Sequence, residues 1–118
     1  MKVVTCNTNG IRAAQRKGFF EWLDTVSPDV VCIQETKAQL HQLTDSVFQP
    51  AGYHCFYNDA ERKGYSGTAL YAREKPIKVT TKLGWEPVDS EGRYLQADFD
   101  GISVISLYVP SGSSGDEA

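Results

Sequence analysis

The sequence predicts a mixed α/β fold in which two strand–helix units are followed by a series of consecutive strands. The hydrophobic fraction of 41% and the aromatic fraction of 11% are those of an ordinary globular domain, and 118 residues accommodate one modest core. Apolar residues recur at helical spacing in the first half of the chain and at strand spacing in the second half. No internal repeat is visible. The strands are therefore expected to form mixed sheets, not a repeating parallel array.

The first half of the chain alternates strands with helices. Residues 2–5 are predicted to form a short buried strand that runs into the turn-forming residues 7–10. Residues 17–26 are predicted to form a helix, because their apolar side chains fall on one side at helical spacing. The near-continuous apolar run 30–33 is typical of a strand that is covered on both faces. Residues 40–48 show a second, weaker helical pattern.

The second half of the chain consists of predicted strands. Three strand patterns come first, at residues 53–57, 68–72 and 77–82. Residues 95–99 and 102–108 then alternate apolar and polar positions on either side of Asp100-Gly101, which is typical of a β-hairpin with a two-residue turn.

Charge and cysteine content narrow the function classes. The formal net charge is −3, whereas modules that bind nucleic acid by overall attraction are usually basic. Any nucleic-acid function must therefore depend on a few local cations or on metal ions held by carboxylates. The three cysteines are widely spaced and form no C-x-x-C pair, which predicts reduced thiols in a cytosolic protein and neither disulfides nor a zinc site. The start of the chain has no signal-peptide pattern, and no apolar run reaches membrane-spanning length.

The tail at residues 111–118 is rich in Gly and Ser, which is typical of a flexible loop or linker. The chain also ends directly after its best-formed hairpin, which favours a truncated end. We therefore expect residues 1–118 to form an incomplete domain, in which one sheet leaves a large apolar face uncovered. Such a chain is expected to be inactive on its own and poorly soluble.

Glu35 is the first candidate site residue. It follows an apolar run and should emerge at the carboxyl end of a buried strand, the edge at which open α/β sheets bind ligands. A half-buried carboxylate there is costly unless it meets a cation. Mg²⁺ is a suitable partner, since it takes one or two carboxylates together with water and phosphate oxygens. The alternative is a structural Glu that caps a helix or pairs with Lys37, and spacing alone does not decide between them.

Asn7 and Tyr108 also lie at the ends of predicted strands. The Asn7 amide could bind a metal or orient a water, or it could simply serve the turn in which it lies. Tyr108 lies on the strand face opposite to the apolar positions 105, 107 and 109. Its phenol could donate a hydrogen bond to a phosphate, and the alternative is an aromatic residue at the rim of a sheet.

Two polar loops supply further candidates. The segment 62–67 contains Lys63 and Tyr65 among glycines, and Arg12 lies in the loop that follows the first strand. Cations, an aromatic ring and glycines together suit contact with the phosphate chain of a nucleic acid. The alternative is an ordinary solvated loop.

Four short motifs, taken in order, strongly resemble the exonuclease III family of abasic-site endonucleases, a branch of the endonuclease/exonuclease/phosphatase superfamily. They are N-T-N-G-I-R-A from Asn7, Q-E-T-K from Gln34, G-Y-S-G-T-A from Gly64 and Y-V-P-S-G from Tyr108. The resemblance covers essentially the whole chain, and its most specific part is the combination of Q-E-T-K with N-G-I-R-A upstream.

The resemblance implies the amino-terminal half of a four-layer αββα sandwich with mixed sheets. It implies Mg²⁺ or Mn²⁺ at Glu35, with Asn7 close to the metal and water network, and Tyr108 beside the scissile phosphate. Arg12 and Tyr65 match positions that face the DNA backbone. The implied activity is cleavage of duplex DNA 5′ to abasic sites and trimming of its 3′ ends in DNA repair. The complete protein would be a cytoplasmic monomer that acts at the nucleoid and makes no membrane contact.

The resemblance is incomplete. Family members carry an Asp-x-Asn pair and a late Asp-His pair downstream, and neither occurs in this chain. Cys6 and Thr8 stand where many relatives have Trp and Val, which leaves the local packing open, and Ser111 replaces an Asn or Gln. The remaining alternatives are another substrate of the superfamily, such as RNA or a phosphoinositide, or a non-catalytic fragment.

Overall fold

The computed structural model describes residues 1–110 and places their strands in two sheets. The first sheet has the strand order β1-β2-β4-β3 and consists of Val3–Asn7 (β1), Val30–Gln34 (β2), His54–Asn58 (β3) and Thr68–Ala72 (β4). The second has the order β5-β6-β7 and consists of Lys78–Thr80 (β5), Tyr94–Phe99 (β6) and Ile102–Leu107 (β7). The predicted α/β class is confirmed, whereas the predicted flexible tail at 111–118 lies outside the described residues.

Three α-helices accompany the sheets in this part of the chain: Ile11–Arg16 (α1), Phe19–Val26 (α2) and Glu86–Asp89 (α3). The sequence patterns predict α2 but neither α1 nor α3. The predicted helix begins later than expected, at Phe19, because Gly18 adopts a φ of +94° and separates α2 from α1. Among residues 1–110, no helix is both long and apolar enough to cross a bilayer.

The weak helical pattern at residues 40–48 does not form one helix. It forms two 3₁₀ turns, Leu40–Gln42 and Ser46–Phe48. The Asp45 carboxylate accepts a hydrogen bond from Val47 N at 3.0 Å and starts the second turn afresh. The prediction of a continuous helix here is therefore wrong, because a local side-chain cap interrupts it.

The strands pair in a way that gathers several strand ends at one edge. β1 and β2 are parallel, with Asn7 paired to Gln34, and β4 runs antiparallel to both β2 and β3. β4 has the predicted bounds, and β1 extends beyond its prediction as far as Asn7. The prediction that β1 is buried is wrong, because β1 is an edge strand whose residues alternate between exposed and partly buried. β5 is shorter than predicted, because only Lys78–Thr80 pair with β6.

Two apolar clusters hold the layers together. One lies between the helices and the first sheet and includes Ile11, Leu23 and Ile33. The other lies between the two sheets and includes Cys32 and Leu95. Alternate residues of β2 serve the two clusters, so this strand is covered on both faces, as its continuous apolar run predicts.

The outer face of the second sheet exposes two apolar side chains to solvent. Pairing of Leu95 with Ser106 directs Ser106 towards the first sheet and places Ile105 and Leu107 on the opposite face. Ile105 and Leu107 are each 47% exposed. The expected large apolar face is only partly present in the described residues, because Gln96 and Asp98 of β6 lie on the same face and are hydrogen-bonded to each other. Tyr108 alternates with Leu107 and lies on the other side, as predicted.

Candidate active site

The loops that follow β1 and β2 are joined at the carboxyl edge of the first sheet. Asn7 pairs with Gln34, so the two parallel strands end at the same place. The ladder continues beyond them, because Gly10 N donates to Glu35 O at 2.8 Å. Thr8 Oγ1 also donates to Glu35 O, at 3.1 Å, so the polar side chain at this departure from the family pattern is satisfied. These bonds fix the backbone that carries the Glu35 carboxylate.

Glu35 has a backbone conformation that is uncommon for its residue type. Glu35 and Lys37 both adopt a φ of +53°, in the left-handed region, which costs a non-glycine residue about 1–2 kcal/mol. Such conformations persist where surrounding contacts determine them, and they cluster at functional sites. The ladder described above supplies those contacts.

The Glu35 carboxylate is not fully occupied by its neighbour Lys37. Glu35 Oε2 lies 3.9 Å from Lys37 Nζ, and the Glu35 side chain is 21% exposed. Lys37 Nζ is also bonded to Asn9 Oδ1, at 2.5 Å. The alternative interpretation of Glu35 was an ion pair with Lys37. That ion pair is long, and Lys37 Nζ is shared with Asn9, so the carboxylate oxygens of Glu35 can bind a further cation.

Asn7 lies at the same edge as Glu35 and is exposed. Its Oδ1 accepts a hydrogen bond from Asn9 N at 2.9 Å, which is the side-chain turn that was the alternative interpretation of this residue. A carbonyl oxygen has two lone pairs, so this bond does not prevent a second interaction.

Tyr108 lies at the end of the β6–β7 hairpin and faces the edge that carries Glu35. Its backbone N donates to Arg93 O at 2.9 Å, so Tyr108 and Arg93 are cross-strand neighbours. Burial raises the pKa of the Tyr108 phenol, the charges of Glu35 and Tyr65 raise it further, and Arg93 lowers it. The phenol therefore lies near enough to these three groups to feel their charges, and the sequence singled out two of them, Glu35 and Tyr65.

Arg93 and Glu91 are site residues that sequence reasoning missed. Glu91 Oε1 accepts a hydrogen bond from Arg93 Nε at 2.7 Å, and Arg93 Nη2 contacts the same oxygen. Tyr65 Oη donates to that oxygen at 3.3 Å. A signal for Arg93 was available, because counting outwards from the two-residue turn places it opposite Tyr108. The predicted strand range stopped short of it.

The G-Y-S-G loop packs directly on the Q-E-T-K segment. Thr36 N donates to Gly67 O at 3.2 Å, and Lys37 N donates to Ser66 O at 2.8 Å. A Cβ at Gly67 would lie 2.2 Å from Thr36 Oγ1, so only glycine fits this approach. This contact brings Tyr65 to the same site as Glu35.

Cations line a depression next to the site. Its walls include Arg12, Arg16 and Lys37, and Arg12 Nη2 donates to Lys37 O at 3.3 Å. The sequence singled out Arg12 but not the other two. Lys63 is exposed on the loop that contributes Gly64 to the same depression. Although the net charge is −3, this surface is locally basic.

The oxygen donors at the strand ends suit a hard divalent cation. Within residues 1–110, no group of three or more His, Cys, Asp or Glu is placed to hold a metal, so the nitrogen and sulfur ligands of a zinc site are not assembled there. Glu35 and Asn7 offer a carboxylate and an amide oxygen at one edge. Mg²⁺ is often bound by one or two carboxylates, with water and phosphate oxygens completing its shell. The residues therefore fit Mg²⁺ or Mn²⁺.

The cysteines are not arranged for nucleophilic chemistry. Cys6, Cys32 and Cys55 are all unpaired. Burial raises the pKa of Cys32 to about 11 and that of Cys55 to about 12, and it also raises the pKa of Cys6. These thiols stay protonated at neutral pH and act as small core side chains, as predicted.

Sequence comparison identifies relatives over nearly the whole chain. The family model of the Endonuclease/Exonuclease/phosphatase family matches residues 4–116. An exodeoxyribonuclease from Bacillus subtilis (strain 168) is 39% identical over 116 residues, which cover 98% of this chain and 45% of the relative. The DNA repair nuclease APEX1 of Danio rerio is 36% identical over 117 residues, which cover 98% of this chain and 38% of the relative. The chain spans less than half the length of these curated relatives.

Solved structures give the same assignment. An AP endonuclease from Archaeoglobus fulgidus superposes with a TM-score of 0.79 at 35% identity, over 93% of this chain and 41% of that one. The 3′ phosphatase NExo from Neisseria, bound to a product DNA hairpin, superposes with a TM-score of 0.78 at 29% identity, over 92% of this chain and 41% of that one. The sequence and fold comparisons agree with the motif resemblance: the chain belongs to the endonuclease/exonuclease/phosphatase family.

Proposed function

We propose that residues 1–118 form the amino-terminal half of a metal-dependent DNA phosphodiesterase that cleaves duplex DNA 5′ to abasic sites and trims 3′ ends in repair. The observation that carries this proposal is the placement of Glu35 near Tyr108, whose neighbour across the hairpin is Arg93, next to a depression lined by cations. A carboxylate for a metal, a phenol donor and cations for phosphate are among the groups that phosphodiester cleavage uses. Relatives of this chain are named as an exodeoxyribonuclease and a DNA repair nuclease.

In this proposal Glu35 and Asn7 hold a Mg²⁺ or Mn²⁺ ion. When bound, a divalent cation neutralises charge on the phosphoryl oxygens and stabilises the leaving 3′ oxygen. The left-handed backbone at Glu35 and the hydrogen bonds that its carbonyl accepts from Gly10 and Thr8 hold the backbone that carries the carboxylate in place before substrate arrives. Only the Glu35 side chain then remains to be ordered at the scissile bond.

Tyr108 donates a hydrogen bond to a phosphate oxygen. Because its pKa is raised by burial and by Glu35, the phenol keeps its proton at neutral and mildly alkaline pH. A protonated phenol is a donor, whereas a phenolate beside a phosphate would repel it. The raised pKa thus supports the donor role.

The DNA backbone is held by local cations. Arg12, Lys63 and Tyr65 are the contacts that the sequence predicts, and the structure adds Arg16 and Lys37 at the depression that contains Arg12. Phosphate contacts of this kind fix the register of the protein on the duplex without reading its sequence. A few clustered cations also reconcile DNA binding with an acidic chain.

We further propose that residues 1–118 alone do not turn over substrate. The Asp-x-Asn and Asp-His pairs that the family uses are missing from this sequence, and the matched relatives are more than twice as long. The complete protein would be a monomer located in the cytoplasm. In this view the chain supplies the metal-binding and phosphate-binding half of a site whose water-activating half lies elsewhere.

The proposal is tested with the chain as part of a polypeptide that completes the domain. The substrates are a labelled duplex with one tetrahydrofuran abasic analogue, an intact duplex with a recessed 3′ end, RNA and inositol phosphates. Glu35→Ala should lower metal-dependent cleavage of the abasic duplex by orders of magnitude, because it removes the charged ligand. Glu74→Ala is the matched control, since Glu74 is exposed and lines a depression with Met1 and Phe99, away from Glu35. Near-normal cleavage by Glu35→Ala, or faster hydrolysis of RNA or inositol phosphates, would contradict the assignment.

A further inference from the structure

One carboxylate oxygen of Glu91 gathers three donors beside Tyr108. Glu91 Oε1 accepts from Arg93 Nε at 2.7 Å, contacts Arg93 Nη2, and accepts from Tyr65 Oη at 3.3 Å. The Glu91 and Arg93 side chains are 30% and 21% exposed. A partly buried oxygen with three donors holds both partners in one orientation, because a shift of either partner breaks a charge-assisted bond.

The backbone that presents Glu91 is itself held tightly. Gly92 adopts a φ of +60°, and a Cβ there would lie 2.6 Å from Asn58 O. Thr68 Oγ1 donates to Gly92 O at 3.0 Å, in a buried bond between the first sheet and this turn. The carboxylate of Glu91 therefore projects from a fixed turn and not from a loose loop.

Glu91 binds the edge of the Arg93 guanidinium that carries Nε and Nη2. Within residues 1–110, Nη1 makes no hydrogen bond or ion pair, so the outer edge of the guanidinium remains open. Arg93 is bonded to Tyr108 across the hairpin, and both side chains belong to the face that is turned towards the first sheet. Arg93 therefore lies on the same side of the hairpin as Tyr108, which is the side where the phosphate is proposed to bind.

We propose that Glu91 is a positioning residue, which binds the inner edge of Arg93 and the Tyr65 phenol so that the outer edge of the guanidinium faces a DNA phosphate next to Tyr108. This proposal rests on the DNA phosphodiesterase function proposed above. A protein that binds a polyanion gains nothing in overall attraction from a carboxylate that neutralises one of its cations. The advantage of Glu91 is that it orients the guanidinium of Arg93. A guanidinium with one edge already fixed loses less conformational entropy when its other edge binds phosphate.

Charge and geometry predict opposite effects of removing Glu91, which makes the proposal testable. If Glu91 acts only as a surface charge, its removal strengthens binding of DNA. If Glu91 directs Arg93, its removal weakens binding even though the protein becomes less negative. Glu91→Gln keeps an acceptor oxygen in the same place, whereas Glu91→Ala removes it. Glu61→Ala is the charge control, because Glu61 is exposed and its side chain makes no hydrogen bond or ion pair within the described residues.

The first measurement needs no DNA. The Nε–Hε signal of Arg93 in the 118-residue chain is followed by NMR. We expect a protected, shifted signal in the parent chain, in Glu91→Gln and in Glu61→Ala. In Glu91→Ala the signal should move to the position of solvent-exposed arginines. Thermal unfolding of each variant accompanies the spectra, and Glu91→Asp, which keeps the charge but withdraws the oxygen, replaces Glu91→Ala if that variant does not fold.

The second measurement uses the chain as part of the polypeptide that completes the domain, and it follows the affinity for a tetrahydrofuran-containing duplex over a range of salt concentrations. Glu91→Ala should bind about three- to tenfold more weakly than the parent chain, the effect of one lost hydrogen bond. The slope of log K against the logarithm of the salt concentration should also be shallower, by the amount that corresponds to the loss of about one phosphate contact. Glu91→Gln and Glu61→Ala should bind at least as tightly as the parent chain.

Two results would overturn the proposal, and they differ in what they say about the DNA-cleaving function. Equal affinity and salt dependence in Glu91→Ala and Glu61→Ala would show that Glu91 is merely a surface ion pair, while DNA binding itself stands. No salt-dependent binding of the duplex by the parent chain, within the polypeptide that completes the domain, would refute the DNA phosphate as the target of Arg93, and with it the proposed function. The NMR signal would then still report whether Glu91 orders Arg93.

Discussion

The contact between Gly67 and Thr36 gives the sharpest test of how the site is held together. A Cβ at Gly67 would lie 2.2 Å from Thr36 Oγ1, well inside contact distance, and its other neighbours are at 3.5 Å or beyond. Gly64, in the same loop, has nothing within 4 Å of its Cβ position. The φ values are +90° and +67°, so alanine is strained by backbone conformation at both positions. The two glycines therefore differ mainly in the steric contact.

The expected magnitudes follow from that difference. Alanine in the left-handed region costs about 1–2 kcal/mol, partly offset by a lower entropy of the unfolded chain. Gly67→Ala must in addition displace Thr36 or the loop, and overpacking of this kind costs about 1–3 kcal/mol. Gly67→Ala should thus be less stable than Gly64→Ala by about 1–3 kcal/mol, or roughly 4–8 °C in Tm per kcal/mol for a domain of this size.

The assay is urea-induced unfolding at low micromolar concentration, with Thr36→Ala as the second arm of a double-mutant cycle. Removing Thr36 Oγ1 should abolish most of the extra cost of Gly67→Ala, because the remaining contacts are of ordinary length. The Glu35 backbone amide should shift in NMR spectra of Gly67→Ala but not of Gly64→Ala. Equal stability of the two alanine variants, or a cost that persists without Thr36, would refute the inference that this contact holds the two motifs together.

Three further outcomes are expected. The pKa of Tyr108 should lie above its ordinary value and fall in Glu35→Gln, because the carboxylate charge disfavours the phenolate; an unchanged NMR titration would mean that the two groups are not neighbours. Burial raises the pKa of Tyr71 well above 10.0, so the contribution of Tyr71 to the free energy of unfolding is fully present below pH 10. Above that pH the contribution is lost, by about 1.4 kcal/mol per pH unit for each such tyrosine. Tyr71→Phe should therefore reduce the dependence of the free energy of unfolding on pH, as measured by urea titrations. The chain should self-associate at about 100 µM through the uncovered sheet face, and Ile105→Lys with Leu107→Lys should suppress this in sedimentation velocity, whereas a monodisperse parent chain would contradict it.

Sequence patterns predict well where side chains alone determine the structure. The apolar run of β2 and the hairpin around Asp100-Gly101 specify their own strands, and the strand that ends in Gln34 places Glu35 at an edge. The cross-strand partner of Tyr108 can also be counted outwards from the turn, and this count identifies Arg93. Local pattern and local structure agree at these places.

The elements that escape prediction depend on contacts made across the chain. α1 has six residues and a single buried side chain, Ile11, and its start is fixed by backbone bonds to the segment that follows β2. The sequence of α1 has no apolar periodicity from which those bonds could be predicted. The positive φ of Glu35 is equally invisible, because glutamate has no preference for that region and only the surrounding ladder imposes it.

The proposed site lies where two sheets meet, so its geometry depends on how the sheets are aligned. Apolar packing between them is non-directional and tolerates sliding. Ser106, which is fully buried on β7, adds a direction: its Oγ donates to Ile33 O at 3.1 Å and accepts from Gln34 Nε2 at 3.3 Å. Both partners immediately precede Glu35, and Ser106 lies two residues before Tyr108 on the same strand face. A polar bridge between the sheets therefore helps to set the separation of the carboxylate from the phenol, and we infer that this bridge makes Glu35 and Tyr108 parts of one proposed site.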